Sequence, residues 1–264
     1  MTPGAVTHRP TPVRLTGKPD TEWGTDEPMR AIRALLITAI VLAALFVAAD
    51  RAAVYFAENQ VADKIRSSQN LSGTPDVSIK GFPFLTQVAS SRLDEVEIKL
   101  DGGVTAGAGD RSIKVSGFDA TLHDVRVDSS YTSATAGRAS GTAHLTYEEL
   151  TKATGDPDVG VGYGGKDATG GNQVKVSGKV TVMGQTSQQN VISTVTVVNG
   201  DTVRVRANEV PSQGIPGLER KIREKTDFDR KITGLPRGIK LDTVVATPNG
   251  VDITLTGTDV NLAG

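Results

Sequence analysis

The residues with the strongest chemical signature lie between Asp156 and Gln173. Gly160, Gly162 and Gly165 satisfy G-x-G-x-x-G, and Gly160 to Lys166 comes within one residue of the phosphate-cradling loop G-x-x-x-x-G-K-[ST], with Asp167 where Ser or Thr would hold magnesium. Such a loop needs a strand before it and a helix after it, because the helix N-terminus meets the phosphate. Here residues 173–183 alternate like a strand, so the glycines read as a hairpin loop and not as a nucleotide site.

The other reactive side chains are thinly spread. The chain has no cysteine, which removes thiol nucleophiles, disulfides and cysteine-ligated zinc, and it has only three histidines. His123 and His144 fall in strand-like segments, no G-x-S-x-G elbow exists, and Asp94 and Glu95 point to opposite faces of an extended chain that also carries Glu97. A hydrolase needs a nucleophile, a base and an orienting group together. The sequence offers no such set, so it predicts no enzyme, no metal and no cofactor.

The elements that would have to position a site begin with the membrane. Residues 1–29 are rich in Pro, Thr and Gly and read as a disordered cytoplasmic tail, which includes His8. Arg30 and Arg33 precede Ala34 to Ala49, sixteen uncharged residues closed by Asp50 and Arg51. Residues 30–49 are therefore expected to be a transmembrane signal anchor, with the basic side cytoplasmic and residues 50–264 outside. Val47-Ala48-Ala49 is the alternative, a cleavage site that would release the domain. Lysine and arginine number 29 against 30 acidic residues in 264, so no overall field calls for nucleic acid.

Asp50 to Gln69 reads as a helix with Val54, Ala57, Val61 and Ile65 on one face. Beyond it come strands, and several change the parity of their apolar side at a glycine. Val77, Ile79 and Gly81 precede Phe82 and Phe84; Ile113, Val115 and Gly117 precede Phe118, Ala120 and Leu122; Ile253, Leu255 and Gly257 precede Val260. A parity change takes one extra residue, as a bulge does, and repeated bulges curl a sheet. Val174, Val176 and Gly178 begin the same pattern, but Val180 and Val182 keep their parity. The expected fold class is α+β: a strongly curved antiparallel sheet around a long helix. Residues 102–110 read as a loose glycine-rich connection, 147–153 as a short helix, Asn199-Gly200-Asp201 as a hairpin turn, and Leu218, Ile222 and Phe228 as the apolar side of a polar helix.

Gly81-Phe82-Pro83-Phe84-Leu85-Thr86, followed by Arg92-Leu93-Asp94-Glu95-Val96, resembles the DUF2993 family of actinobacteria, the LmeA-like phospholipid-binding proteins. Leu235-Pro236-x-Gly238-Ile239 and Gly250-Val251-x-Ile253 also look like that family, and the similarity runs from Asp50 to Leu262. The resemblance implies a fold similar to tubular lipid-binding modules and a phospholipid partner in the cell envelope, assisting lipid or lipoglycan biogenesis. It carries no catalytic residues.

Residues and resemblance together lead to an apolar trough, for which Phe82, Phe84, Leu85, Val96 and Ile98 are the expected lining. Arg220, Lys221, Arg223 and Lys225, on a basic helix, are the expected head-group or membrane contacts. The alternatives are an adaptor module whose sheet is filled by its own side chains, and a glycolipid-modifying enzyme. Protein partners are not legible.

Overall fold

The computed structural model describes residues 26–68, 71, 73–102, 104–108, 111–128, 133–166, 172–182, 184–210 and 217–262. Most of the expected tail, residues 1–25, lies outside that set, as do the expected sheet break over 211–216 and residues 167–171 of the glycine-rich segment. The chain divides into two units, Met1–Phe46 and Val47–Gly264. Within the first, the described residues belong to helix α1, which runs Asp26–Ser68 and continues into the second. From Met29 onward α1 is long and apolar enough to cross a membrane, and its apolar segment is wholly unburied.

The second unit holds two antiparallel sheets. In chain order its elements are β1 (Asp76–Lys80), α2 (Phe84–Ala89), β2 (Arg92–Leu100), β3 (Val104–Ala108), β4 (Arg111–Val115), β5 (Gly117–Val127), β6 (Ala134–Thr146), α3 (Tyr147–Thr154), β7 (Val159–Lys166), β8 (Asn172–Val182), β9 (Gln185–Val198), β10 (Thr202–Ala207), α4 (Leu218–Thr226), β11 (Phe228–Thr233), β12 (Ile239–Thr247) and β13 (Gly250–Asn261). A six-stranded sheet has the order β1-β2-β5-β6-β13-β12, and a seven-stranded sheet the order β4-β3-β11-β10-β9-β8-β7.

Several sequence expectations change here. The segment read as a loose connection contains strand β3, and Val159–Lys166 is strand β7, which pairs with β8 through a register shift between Tyr163 and Gly165. Phe228 begins β11 and does not extend the helix, which ends at Thr226. On α1 the buried apolar residues are Val54 and Ala62, with Ala53, Ala57 and Ile65 packed beside them, while Val61 is exposed. Asn199 and Gly200 both take positive φ, and with Asp201 they make the expected hairpin link from β9 to β10, three residues between the paired Val198 and Thr202.

The parity changes are real but differently placed. At Gly81 strand β1 ends, and the chain turns into α2. At Gly117 it passes from β4 in one sheet to β5 in the other, with the Ser116 N–H donating to His144 O. Inside the six-stranded sheet, consecutive inward residues are three apart at one level in each of four neighbouring strands: Leu93 and Val96, Leu122 and Val125, Ala139 and Ala136, Gly257 and Val260. Leu93↔Val125, Leu122↔Ala139 and Val125↔Ala136 stay in unbroken register. Each strand has therefore absorbed one extra residue at the same height. Asp124 and Asp259 do so with φ of 54° and 49°, a left-handed conformation that the short Asp side chain tolerates better than most.

Both sheets bury one face. The inner face of the six-stranded sheet packs the later half of α1 at one end, through Val77, Ile79, Val96, Leu122, Val125, Ala136, Ala139 and Val260. At its other end Ala143, Leu145, Val251 and Ile253 face the seven-stranded sheet. The inner face of that second sheet carries α4 in turn, with Leu218 and Ile222 against Val180, Val191 and Ala207.

Candidate functional site

Where the two inner faces oppose each other they do not close. A cavity of about 440 Å³ lies between them, within the roughly 300–1,000 Å³ of ordinary ligand pockets. The seven-stranded sheet lines it with Val161, Val174, Val176, Val195, Val203, Val205, Phe228 and Ile232. Phe118, Ala143, Leu145, Val244, Val251, Ile253 and Leu255 line it from the six-stranded sheet, and Leu150 and Ala153 from α3. The valines are there because strands that bury one face place β-branched side chains at every second position.

The polar part of the lining is small: Thr154, Asp156, Glu224, Lys225 and Arg230. Lys225 Nζ lies 2.8 Å from Asp156 Oδ2, and both side chains are about one-third exposed, so the cavity reaches solvent at this pair. The Lys225 ammonium, followed by the Asp158 N–H, holds the Asp156 carboxyl below its ordinary range. Arg230 lies over the Phe228 ring, 5.9 Å from its centroid, and has no ion pair among the described residues. A greasy interior whose edge carries two cations, Lys225 and Arg230, and two carboxylates, Asp156 and Glu224, suits an amphiphile with a polar end.

Of the four basic residues expected to meet a head group, Lys225 is at this cavity. Arg223 is occupied by Glu219 and Asp227, Lys221 Nζ donates to Thr181 O, and Arg220 has no ion pair among the described residues. None of the five residues expected to line a trough is part of this cavity's lining. Phe84 and Val96 are buried in the cluster around α1, and Ile98 packs against it. Phe82 and Leu85 are exposed.

What Gly81 to Val96 does visibly is tie α1 to the sheet. Asp50, wholly buried on α1, accepts the Leu85 N–H at 2.8 Å, so α1 supplies the cap that Pro83 cannot give to α2. Burial pushes the Asp50 carboxyl up, but the Leu85 N–H, the Arg51 guanidinium and the Phe84 N–H outweigh it and leave the pKa below the ordinary carboxylate value. Glu58 accepts the Ile79 N–H at 2.7 Å. Gln87 bridges the two parts of the motif, donating to Lys80 O and accepting from the Asp94 N–H. Gly81, at φ 96°, holds a backbone conformation that side chains rarely adopt, and a Cβ there would displace the bridging Gln87 Nε2, 2.5 Å away.

The sites of conventional chemistry stay apart. His123 pairs with Glu95 at 3.4 Å and His144 with Asp252 at 2.5 Å, and by strand parity both pairs lie on the outer side of the six-stranded sheet. Tyr147 donates to Thr247 O, and burial, with the charges of Tyr163 and Asp252, raises its pKa to about 12, so the phenol is no base near neutral pH. Among the described residues no three metal-capable side chains gather.

The cavity was not found by sequence reasoning, although the alternation Val174-Val176, Val203-Val205 and Ile253-Leu255 was legible. Alternation shows that a face is buried, not what it faces.

An α+β unit with an apolar cavity between two antiparallel sheets, charged only at its edge, has the chemistry of a site for an amphiphile. The comparison with known families agrees: the model of the LmeA-like phospholipid-binding family matches residues 48–256, and the chain belongs to that family. No curated protein and no solved structure matches the chain.

Proposed function

We propose that this chain is a membrane-anchored, extracytoplasmic protein of the bacterial envelope that takes one phospholipid acyl chain into the cavity between its sheets and serves lipid or lipoglycan biogenesis. The observation that carries this reading is the lining: apolar side chains from both sheets, with Lys225 and Arg230 beside Asp156 and Glu224 at the polar edge. Each methylene withdrawn from water contributes about 0.8 kcal/mol, so a dozen hold a lipid without help from charge. Lys225 and Arg230 then meet the phosphate, with Arg220, Lys221 and Arg223 contributing to the field around it. The common level of the four parity changes supports a sheet that curls toward the helix in the manner of tubular lipid-binding modules. The basic Arg30 and Arg33 support a cytoplasmic N-terminus.

The test is photocrosslinking. A phosphatidylglycerol carrying a diazirine at the end of one acyl chain is incorporated with the full chain in vesicles, and labelled peptides are identified by mass spectrometry. Label on residues 174–176, 203–205 and 251–255 is expected. Label confined to residues 30–49 overturns the cavity reading and favours the adaptor.

A further inference from the structure

We infer that the tip formed by β1, α2 and the adjoining turn of α1 is a second lipid contact, a collar that rests in the surface of the bilayer crossed by the protein's own helix. The inference rests on the anchor reading above. It does not depend on the cavity.

Three observations carry it. The apolar run of α1 ends at Ala49, yet large apolar side chains remain exposed just beyond it: Tyr55 and Phe56 are each 69% exposed and Phe82 58%. At 1.5 Å per residue, Tyr55 and Phe56 stand roughly 9 Å past the last apolar turn, the depth of the interfacial layer where aromatic rings collect. Second, Gly81 to Ser91 contains no charged residue in eleven positions, although charged residues make up 22% of the chain. A solvent-facing tip of that length would ordinarily carry charge; one that dips to the boundary between head groups and acyl chains is favoured by carrying none of its own. Third, the tip is rigidly tied to the point where α1 leaves the apolar run. Arg51 lies over the Phe82 ring at 5.3 Å from its centroid, and Asp50 holds the Leu85 N–H. The Arg51 guanidinium, over that ring, also donates to Asp50 Oδ2 at 2.7 Å; its side chain is half-exposed, so its remaining N–H groups are at the surface where lipid phosphates lie.

The occupant is therefore the head-group and upper acyl region of the leaflet on the domain's side. Phe82 and Leu85 are its apolar contacts and Arg51 its phosphate contact.

Because the chain has no cysteine, single-cysteine variants report cleanly. Phe82→Cys, Leu85→Cys, Leu42→Cys in the candidate span and Thr243→Cys on an exposed position of β12 are labelled with a polarity-sensitive fluorophore. The full chain is reconstituted in phosphatidylethanolamine and phosphatidylglycerol vesicles containing lipids with either a shallow or a deep acyl-chain nitroxide, the deep one read at position 42 and the shallow one at 82 and 85. Thermal melts matching the parent protein establish folding. Blue-shifted emission and at least twofold nitroxide quenching at positions 42, 82 and 85, without either at 243, are expected. Water-like emission at 82 and 85 with a quenched position 42 overturns the collar and leaves the anchor standing. Water-like emission at 42 as well overturns the anchor and the collar with it.

Discussion

Ala139 and Ala143 are both on strand β6 and point to the same side of the same sheet, yet they face different interiors. Ala139 meets the later half of α1 in a closed core; Ala143 borders the cavity. A helix presents a convex ridge whose side chains fall into the hollows of a sheet, and it fills them at crystal-like density. Two sheets meeting face to face can match only along part of their width, because each is twisted, and these two leave a volume unfilled. The contrast shows that the open volume comes from what the sheet is paired with and not from the character of its own inner residues, which are apolar at both ends.

The difference can be broken most forcefully at the closed end. Phe84, 5% exposed in the cluster around α1, should cost about 3–5 kcal/mol when changed to Ala. Chemical denaturation measures that loss, and photocrosslinking of the residual folded protein should still reach residues 174–176.

The pair Ala139→Phe and Ala143→Phe sharpens it. In the closed core the added ring should destabilise by about 1–3 kcal/mol through overpacking. At the cavity it should leave the unfolding midpoint nearly unchanged while lowering acyl-chain crosslinking at least tenfold. Equal destabilisation by both would show that the cavity is closed in solution.

The smallest effect concerns the cavity's edge. The carboxyl of Asp156 titrates below its ordinary value in the folded protein, chiefly because Lys225 donates to it. A depressed folded pKa gives stability that is complete above the unfolded carboxylate pKa and is lost as pH falls through the folded one. The stability difference between the parent and Asp156→Asn should thus be constant near neutrality and shrink on acidification, followed by urea melts at several pH values. Exposure of both partners keeps the effect small.

The sequence made the broad organisation legible. An uncharged run of sixteen residues, a short amphipathic helix after it and a long series of alternating strands need only local reasoning. Strand β7 was hidden because its Gly-Val-Gly-Tyr pattern has too little side-chain alternation to signal a strand, and β3 because Val-Thr-Ala-Gly-Ala is short, small and flanked by glycines; their pairing partners make them strands. The parity changes were visible as a principle but assigned to glycines, whereas Asp124 and Asp259 carry the left-handed turns inside the sheet. Asp in that conformation leaves little trace in a sequence. The candidate site was least legible, since Val176 and Ile253 are 77 positions apart and face each other only because two sheets stack. Of the residues singled out beforehand, Lys225 lies at the cavity, while Phe82 and Leu85 are exposed at the tip beside α1.

The row of extra residues at Asp94, Asp124, Gly137 and Asp259 has a consequence for heredity. Losing any one of them alone would slip its strand by one position and turn the inward side chains beyond that point outward, against neighbours that had not slipped. Deletions at this level are therefore acceptable only in concert, and four distant stretches of the gene are bound to keep the same length.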